Sequence, residues 1–220
     1  MDLCCGASSG IGFPPIGGVT SLRPFSSCRK VLRSAGVTGL KKGVRVSNHP
    51  RLSLVLGGAA SGKSGFAEAL VTGTGRNRVY LATAQAFDDE MQAKLVRHRV
   101  TRGPDWRTIE APLDLAPALQ QAAADDIVLL DCITMWLSNH LLAEHDLEAA
   151  QSALLAALDA CAAPVVMVSN EVGLSVVPDN ALARRFRDAQ GRVNQVLAAR
   201  SELVVHVIAG LPQVLKGTLP

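Results

Sequence analysis

The sequence predicts an α/β protein, a mostly parallel sheet with helices on both faces. Three observations carry this. Short apolar runs and helical-period segments alternate from residue 52 to residue 209, the order that builds a parallel sheet covered on both sides. The chain is 48% hydrophobic but only 4% aromatic, which suits a core packed from Ala, Val and Leu. The first apolar run also passes through a glycine-rich segment straight into the first helix.

At 220 residues the chain is long enough for one domain with a real core. Its formal charge of +3 is unevenly spread. Up to Arg51 there are eight Lys or Arg and one acid, Asp2; beyond it there are 14 basic and 18 acidic residues, a net of −4. A mildly acidic body argues against a nucleic-acid partner. Cys4, Cys5 and Cys28 lie in the basic arm, and Cys132 and Cys161 in the body lack metal-ligand spacing. Both are expected to be reduced and buried, as in the cytoplasm. No apolar run reaches the roughly 18 residues of a membrane span.

Residues 1–50 are rich in Gly, Ser and Pro and show no usable period. They read as a disordered, acid-poor extension, or as a misassigned start with the protein beginning nearer Arg51. The second reading is favoured, because the segment cannot bury enough to fold. Asn48-His49-Pro50 marks the boundary, and residues 51–220 form the domain.

Leu52, Leu54, Val55 and Leu56 make the first strand. Gly57-Gly58-Ala59-Ala60-Ser61-Gly62-Lys63-Ser64 then matches G-x-x-x-x-G-K-[ST], the phosphate-binding loop, and a helix from about Ser64 to Val71 follows. Strand, loop and helix in that order turn the pattern into a mechanism. The glycines let successive N–H groups point into one concavity, and the helix aims its positive end at the same place. Lys63 adds charge for the outer phosphates and Ser64 offers a hydroxyl to a magnesium ion. The plain alternative is an ordinary glycine-rich turn.

Arg78–Thr83 reads as the second strand, with Ala84-Gln85-Ala86 leaving its end. Asp88-Asp89-Glu90 opens a second helix, where acids suit the first turn. Met91, Leu95 and His98 share one face of it, so His98 points toward the body. Gly103-Pro104 ends this helix. Trp106–Glu110 is a short strand, Leu115–Ala124 a helix, and Ile127–Asp131 a strand closing on an acid. A carboxylate at such a strand end reaches magnesium directly or through water in phosphate-loop proteins. Thr134, Trp136, Ser138 and Asn139 follow at the carboxyl end of that strand, where ligands gather in open α/β sheets. A helix over Glu148–Cys161 leads to the strand Pro164–Ser169. Glu171 is then a further carboxylate on the same edge, or simply a cap or turn residue. The long helix from about Asn180 to Ala199 places Leu182, Phe186, Ala189, Val193, Val196 and Leu197 at helical spacing. Arg184, Arg185, Arg187 and Arg192 line its other sides. Glu202–Ala209 is the last strand, ended by Gly210-Leu211-Pro212. The fold class is P-loop NTPase-like, of the RecA-like kind.

A phosphate loop alone points to a nucleoside triphosphate. The guanine-reading Asn-Lys-x-Asp of regulatory GTPases is absent, and Asp188-Ala189-Gln190-Gly191 falls inside a predicted helix rather than after a strand. His98 is more pointed. A neutral imidazole can attack phosphorus and form a phosphoramidate, splitting a nucleotidyl transfer into two easier steps. Lys63, magnesium, Arg99 and Arg102 would offset the developing charge. On periodicity alone, such a histidine is more commonly packed in a core. A simple small-molecule kinase and a nucleotide-binding regulatory module therefore stand beside the transferase reading.

Several blocks come in a recognisable order. They are the loop, Ala82-Thr83-Ala84, Asp88-Asp89-Glu90-Met91 leading to His98, Trp106–Glu110, and Asp131-Cys132-Ile133-Thr134-Met135-Trp136-Leu137-Ser138-Asn139. Ser169-Asn170-Glu171-Val172-Gly173, Phe186-Arg187-Asp188 with Gly191 and Asn194-Gln195, and Gly210-Leu211-Pro212 with Lys216 complete them. Over about 52–217 the chain resembles the bifunctional adenosylcobinamide kinase/adenosylcobinamide-phosphate guanylyltransferases of cobalamin synthesis. The resemblance implies phosphorylation of adenosylcobinamide by ATP or GTP. It also implies transfer of GMP from GTP through a covalent histidine, whose place His98 takes. It implies nucleotide contacts at Gly57 to Ser64, Ala82, Thr83, Ala84, Arg99, Val100, Thr101, Arg102, Glu110 and Asp131. Mg2+ would be held by Ser64 and Asp131, and the assembly would be a homo-oligomer, a trimer. The family often has Arg where this loop has Ala60. The backbone cradle does not need that side chain.

Overall fold

The computed structural model describes residues 49–85 and 105–220. The expectations for residues 1–48, for the helix opened by Asp88, and for His98, Arg99, Val100, Thr101 and Arg102 lie outside the described residues.

The described chain runs β1 (Leu52–Gly57), α1 (Lys63–Thr72), β2 (Asn77–Ala82), β3 (Trp106–Glu110), α2 (Ala116–Gln120) and β4 (Asp126–Asp131). It continues through α3 (Ile133–Leu142), α4 (Leu147–Ala160), β5 (Val165–Asn170), α5 (Ala181–Arg200), β6 (Leu203–Ile208) and β7 (Leu211–Lys216). One seven-stranded sheet has the order β3-β2-β4-β5-β1-β6-β7. All pairs are parallel except β6 with β7. This is the expected P-loop NTPase-like α/β sheet, with the loop strand β1 near its middle.

The central strands are buried on both faces, which explains their continuous apolar runs. Leu54, Leu130 and Met167 face one core layer with α2, α3, α4 and α5, through Leu119, Trp136, Leu158 and Leu197. Val55, Leu129 and Val168 face the other layer, where Ala67 and Val71 of α1 pack. Register brings the strand ends to one edge: Gly57 pairs with Asn170, and Ala82 with both Asp131 and Glu110.

Three expectations change. Residues 133–142 form a regular helix, with Ile133, Trp136, Leu137 and Leu141 buried at helical spacing. The helix expected over 115–124 is regular only for Ala116–Gln120. Gly210-Leu211-Pro212 does not end the sheet. Ala209 and Gly210 take φ of 51° and 79°, the two-residue turn that suits a tight hairpin, and Leu211–Lys216 returns as β7. Pro212 is tolerated because β7 is the edge strand. Lys216 then donates to Ala198 O (3.1 Å) and Ala199 O (2.8 Å), satisfying carbonyls in the last turn of α5.

Helix α5 buries Ala189, Val193 and Leu197 as its period requires, but Leu182 in its first turn is 52% exposed. The same face carries a buried polar network. Asn194 Oδ1 accepts from Ser169 Oγ (2.7 Å) and Gln190 Nε2 (3.0 Å), while its Nδ2 donates to Asn170 O (3.1 Å). This ties the long helix to the end of β5. Asn194→Leu is expected to lower stability by about 1–2 kcal/mol, since the buried Ser169 O–H loses its acceptor, keeping only the bond from Gln190 Nε2 (2.9 Å), and the half-buried Asn170 carbonyl loses its donor. A urea unfolding midpoint equal to wild type would contradict this.

Candidate active site

The loop is shaped by close approach. A Cβ on Gly57 would press on Ser61 Oγ and stand 2.7 Å from Val207 O, so the first position of the motif must be glycine. Gly62, the N-cap of α1, has φ 92°, a conformation that side chains resist. Ala60 holds φ 55° and is exposed, so its methyl contributes little to the cradle. The loop is clamped on both sides: Glu171 N donates to Gly57 O (3.1 Å) and Gly210 N donates to Ser61 O (2.8 Å). Lys63 lies back along the loop, its Nζ donating to Gly58 O at 3.1 Å. Ser64 follows in the first turn of α1, half-buried.

Asp131 ends β4 with its side chain half-buried, and Tyr80 OH donates to its Oδ2 at 3.2 Å. Strand β5 lies between β4 and β1. At about 4.8 Å per strand, the Asp131 backbone is roughly 9–10 Å from that of the loop strand. Ser64 and Asp131 are hard oxygen donors of the kind magnesium favours. Cys132 follows through a cis peptide bond. Burial, and then the charge of Asp131, raise its thiol to about 11, against a smaller opposing effect of Lys63. It therefore stays protonated at neutral pH and is no nucleophile.

Thr83 is wholly buried. Its hydroxyl donates to Cys132 O (2.7 Å) and accepts from Cys132 N (2.8 Å). Asn139 Nδ2 donates to Thr83 O (2.8 Å) and Pro112 O (2.9 Å), and Thr134 Oγ1 accepts from Asn170 N (2.8 Å). These side chains fasten the ends of β2, β4 and β5 together. Ser61 Oγ and Asn170 Oδ1 are buried and, among the described residues, have no hydrogen-bond partner. Glu171 Oε1 accepts from Gly173 N at 2.7 Å, closing a turn at the end of β5. Among the described residues, no group of three or more His, Cys, Asp or Glu could hold a metal, and no helix is long and apolar enough to cross a membrane.

A family model described as cobinamide kinase / cobinamide phosphate guanyltransferase matches residues 53–215. The chain belongs to this family. It is 46% identical over 167 residues to a bifunctional adenosylcobalamin biosynthesis protein of Pseudomonas aeruginosa, covering 74% of this chain and 96% of that one. It is 44% identical over 174 residues to the bifunctional adenosylcobalamin biosynthesis protein of Salmonella typhimurium, covering 72% and 96%. The expected kinase and guanyltransferase assignment is therefore established at the level of the family, and the chain is a transferase of cobalamin biosynthesis.

In this kinase/guanyltransferase the structure brings Gly57 to Ser64, Ala82 to Ala84 and Asp131 to one sheet edge. Glu110 reaches the same edge but at the far side, exposed at the end of edge strand β3. Four strand spacings, about 19 Å, separate it from the loop strand. Sequence reasoning missed Tyr80 and the locking role of Thr83. The only available signal was a polar group inside an otherwise apolar strand end.

Proposed function

We propose that one phosphate loop grips the triphosphate in both reactions of the family, and that residues 51–220 carry both. In the first, the aminopropanol hydroxyl of adenosylcobinamide attacks the γ-phosphorus of ATP or GTP. The bond to the β-phosphate oxygen breaks, the nucleoside diphosphate leaves, and the hydroxyl proton passes to solvent. In the second, a ring nitrogen of His98 attacks the α-phosphorus of GTP and pyrophosphate leaves. A phosphate oxygen of adenosylcobinamide phosphate then displaces the imidazole, giving adenosylcobinamide-GDP.

The observation that carries this reading is the shared edge. The clamped loop, Asp131 and Glu110 all stand at the carboxyl ends of strands. The connection bearing His98 leaves that same edge after β2. GTP stretched across the edge would set its pyrophosphate on the loop and its guanine toward Glu110. That carboxylate suits the N1 and N2 donors of the base. The α-phosphate would then lie between them. Ala82, Ala84 and Arg99 to Arg102 would contact the nucleotide on the way. Thr83 is wholly buried with its hydroxyl, N–H and carbonyl all engaged, so it would hold these neighbours in place rather than touch the nucleotide.

Ser64 and Asp131 supply the hard oxygen donors that magnesium favours. When bound, the ion offsets charge building on the phosphates. Lys63 holds the outer phosphates, while the loop amides fix their orientation. We place the protein in the cytoplasm as a homo-oligomer, a trimer, with no nucleic-acid partner for its mildly acidic body.

The test is labelling with GTP carrying radioactive α-phosphate. The full chain is expected to retain label as an acid-labile, base-stable adduct, and His98→Ala to retain none. A chain that phosphorylates adenosylcobinamide without taking up α-label would be a kinase alone, and the histidine route would fail.

A further inference from the structure

Beside the loop, the segment joining β5 to α5 holds aliphatic side chains in water. Leu174 is 84% exposed, Val176 90% and Val177 64%, and Leu182 in the first turn of α5 is also exposed. The segment is tied down at both ends. Glu171 N donates to Gly57 O (3.1 Å) and Glu171 Oε1 accepts from Gly173 N (2.7 Å) at its start. At its finish, Arg184 Nη1 donates to Pro178 O (2.9 Å) and Asp179 O (2.7 Å), and Asn180 caps Ala183 N (2.7 Å). Ser175 Oγ donates to Val172 O across the middle (3.0 Å). These local hydrogen bonds hold the segment in a form that leaves its aliphatic side chains in water, which water disfavours.

Its position is informative. Strand β5 lies between the loop strand and the strand ending in Asp131. The segment therefore rises from the sheet in the middle of the site, one residue past Asn170, the register partner of Gly57. A nucleoside triphosphate is polar along most of its length and has no use for three exposed aliphatic side chains. The acceptor does. A corrinoid is a broad macrocycle whose faces and methyl-bearing rim are apolar and whose arms end in amides. Its hydroxyl must also reach a phosphate held by the loop. Exposed apolar surface continuous with a catalytic edge marks a binding surface.

Building on the kinase/guanyltransferase reading, we propose that Leu174, Val176 and Val177 form the lip on which the corrinoid ring of the acceptor rests in both reactions. These residues determine affinity for the acceptor and leave the nucleotide untouched.

The test uses the full chain and the variant Leu174→Ser/Val176→Ser/Val177→Ser. Adenosylcobinamide binding is measured by equilibrium dialysis, read from the corrinoid's own visible absorbance, so no turnover is needed. The variant is expected to bind about tenfold more weakly or worse, with covalent labelling from α-labelled GTP and sedimenting mass unchanged. Equal corrinoid affinity in variant and wild type overturns the lip alone. A fall in sedimenting mass also overturns it, and assigns the surface to contact between copies of the chain. A wild-type chain that binds no corrinoid overturns the functional reading beneath it. If the triple variant does not fold, Val176→Asp at the most exposed of the three positions carries the same comparison.

Discussion

Gly57→Ala is expected to cost about a hundredfold or more in GTP affinity and to silence both reactions, while the sheet stays folded. The added Cβ would meet Ser61 Oγ and the carbonyl of Val207. The serine hydroxyl can rotate away. The carbonyl cannot, because it belongs to β6, hydrogen-bonded beside β1 in the sheet. The strain is therefore relieved where the structure is softest, by opening the loop at Ser61. Misplacing the cradle's N–H groups by about 1 Å is enough for a hundredfold loss. The cost in stability is smaller, about 1–3 kcal/mol for overpacking at a buried position. Gly65→Ala provides the contrast. Gly65 sits in α1 with open space where its Cβ would go, so alanine there should stabilise the helix by about 0.5–1 kcal/mol and leave nucleotide affinity alone. Calorimetric titration with a non-hydrolysable GTP analogue, set beside urea unfolding of both variants, separates the two effects. Gly57→Ala binding the analogue as tightly as wild type would show that the cradle does not depend on that close approach.

What could be read from residues alone follows the range of the interactions. The loop was legible because its chemistry is local: eight consecutive residues between an apolar run and a helix. Strands β4 and β5 were legible because burial on both faces leaves an unbroken apolar run. Strand β7 was not, since every residue of it is exposed and Pro212 looks like a stop signal. Nor was the pairing of Tyr80 with Asp131 or the clasp of Thr83 on Cys132. Each joins residues about fifty positions apart, which only the register of β2 against β4 brings together. Helix α3 was obscured for a different reason. Its Thr134, Ser138 and Asn139 drew attention as site residues, while Ile133, Trp136, Leu137 and Leu141 were quietly spacing out a helix. The acceptor lip could not be read at all, because Leu174, Val176 and Val177 are unremarkable aliphatics until their exposure is known.

Lys63→Ala is expected to slow both the kinase step and the covalent labelling from α-labelled GTP, each by about a hundred- to a thousandfold. Lys63 opens α1, and its Nζ reaches Gly58 O at 3.1 Å, so the charge hangs over the cradle rather than in solvent. A unit charge about 4 Å from a phosphate oxygen at an effective dielectric of 20 is worth about 4 kcal/mol, enough for losses of that size. Arginine should not restore the rate, because its planar fork is longer than an ammonium and makes a different contact with the phosphates. The double effect is the discriminating part. If a single loop grips the triphosphate in both reactions, removing its charge must weaken γ-transfer to the hydroxyl and displacement of pyrophosphate by the imidazole together. A variant that loses the kinase rate but still takes up α-label at the wild-type rate would mean that GTP binds elsewhere for the second reaction. Glu110, roughly four strand spacings across the edge, would then be where to look for it.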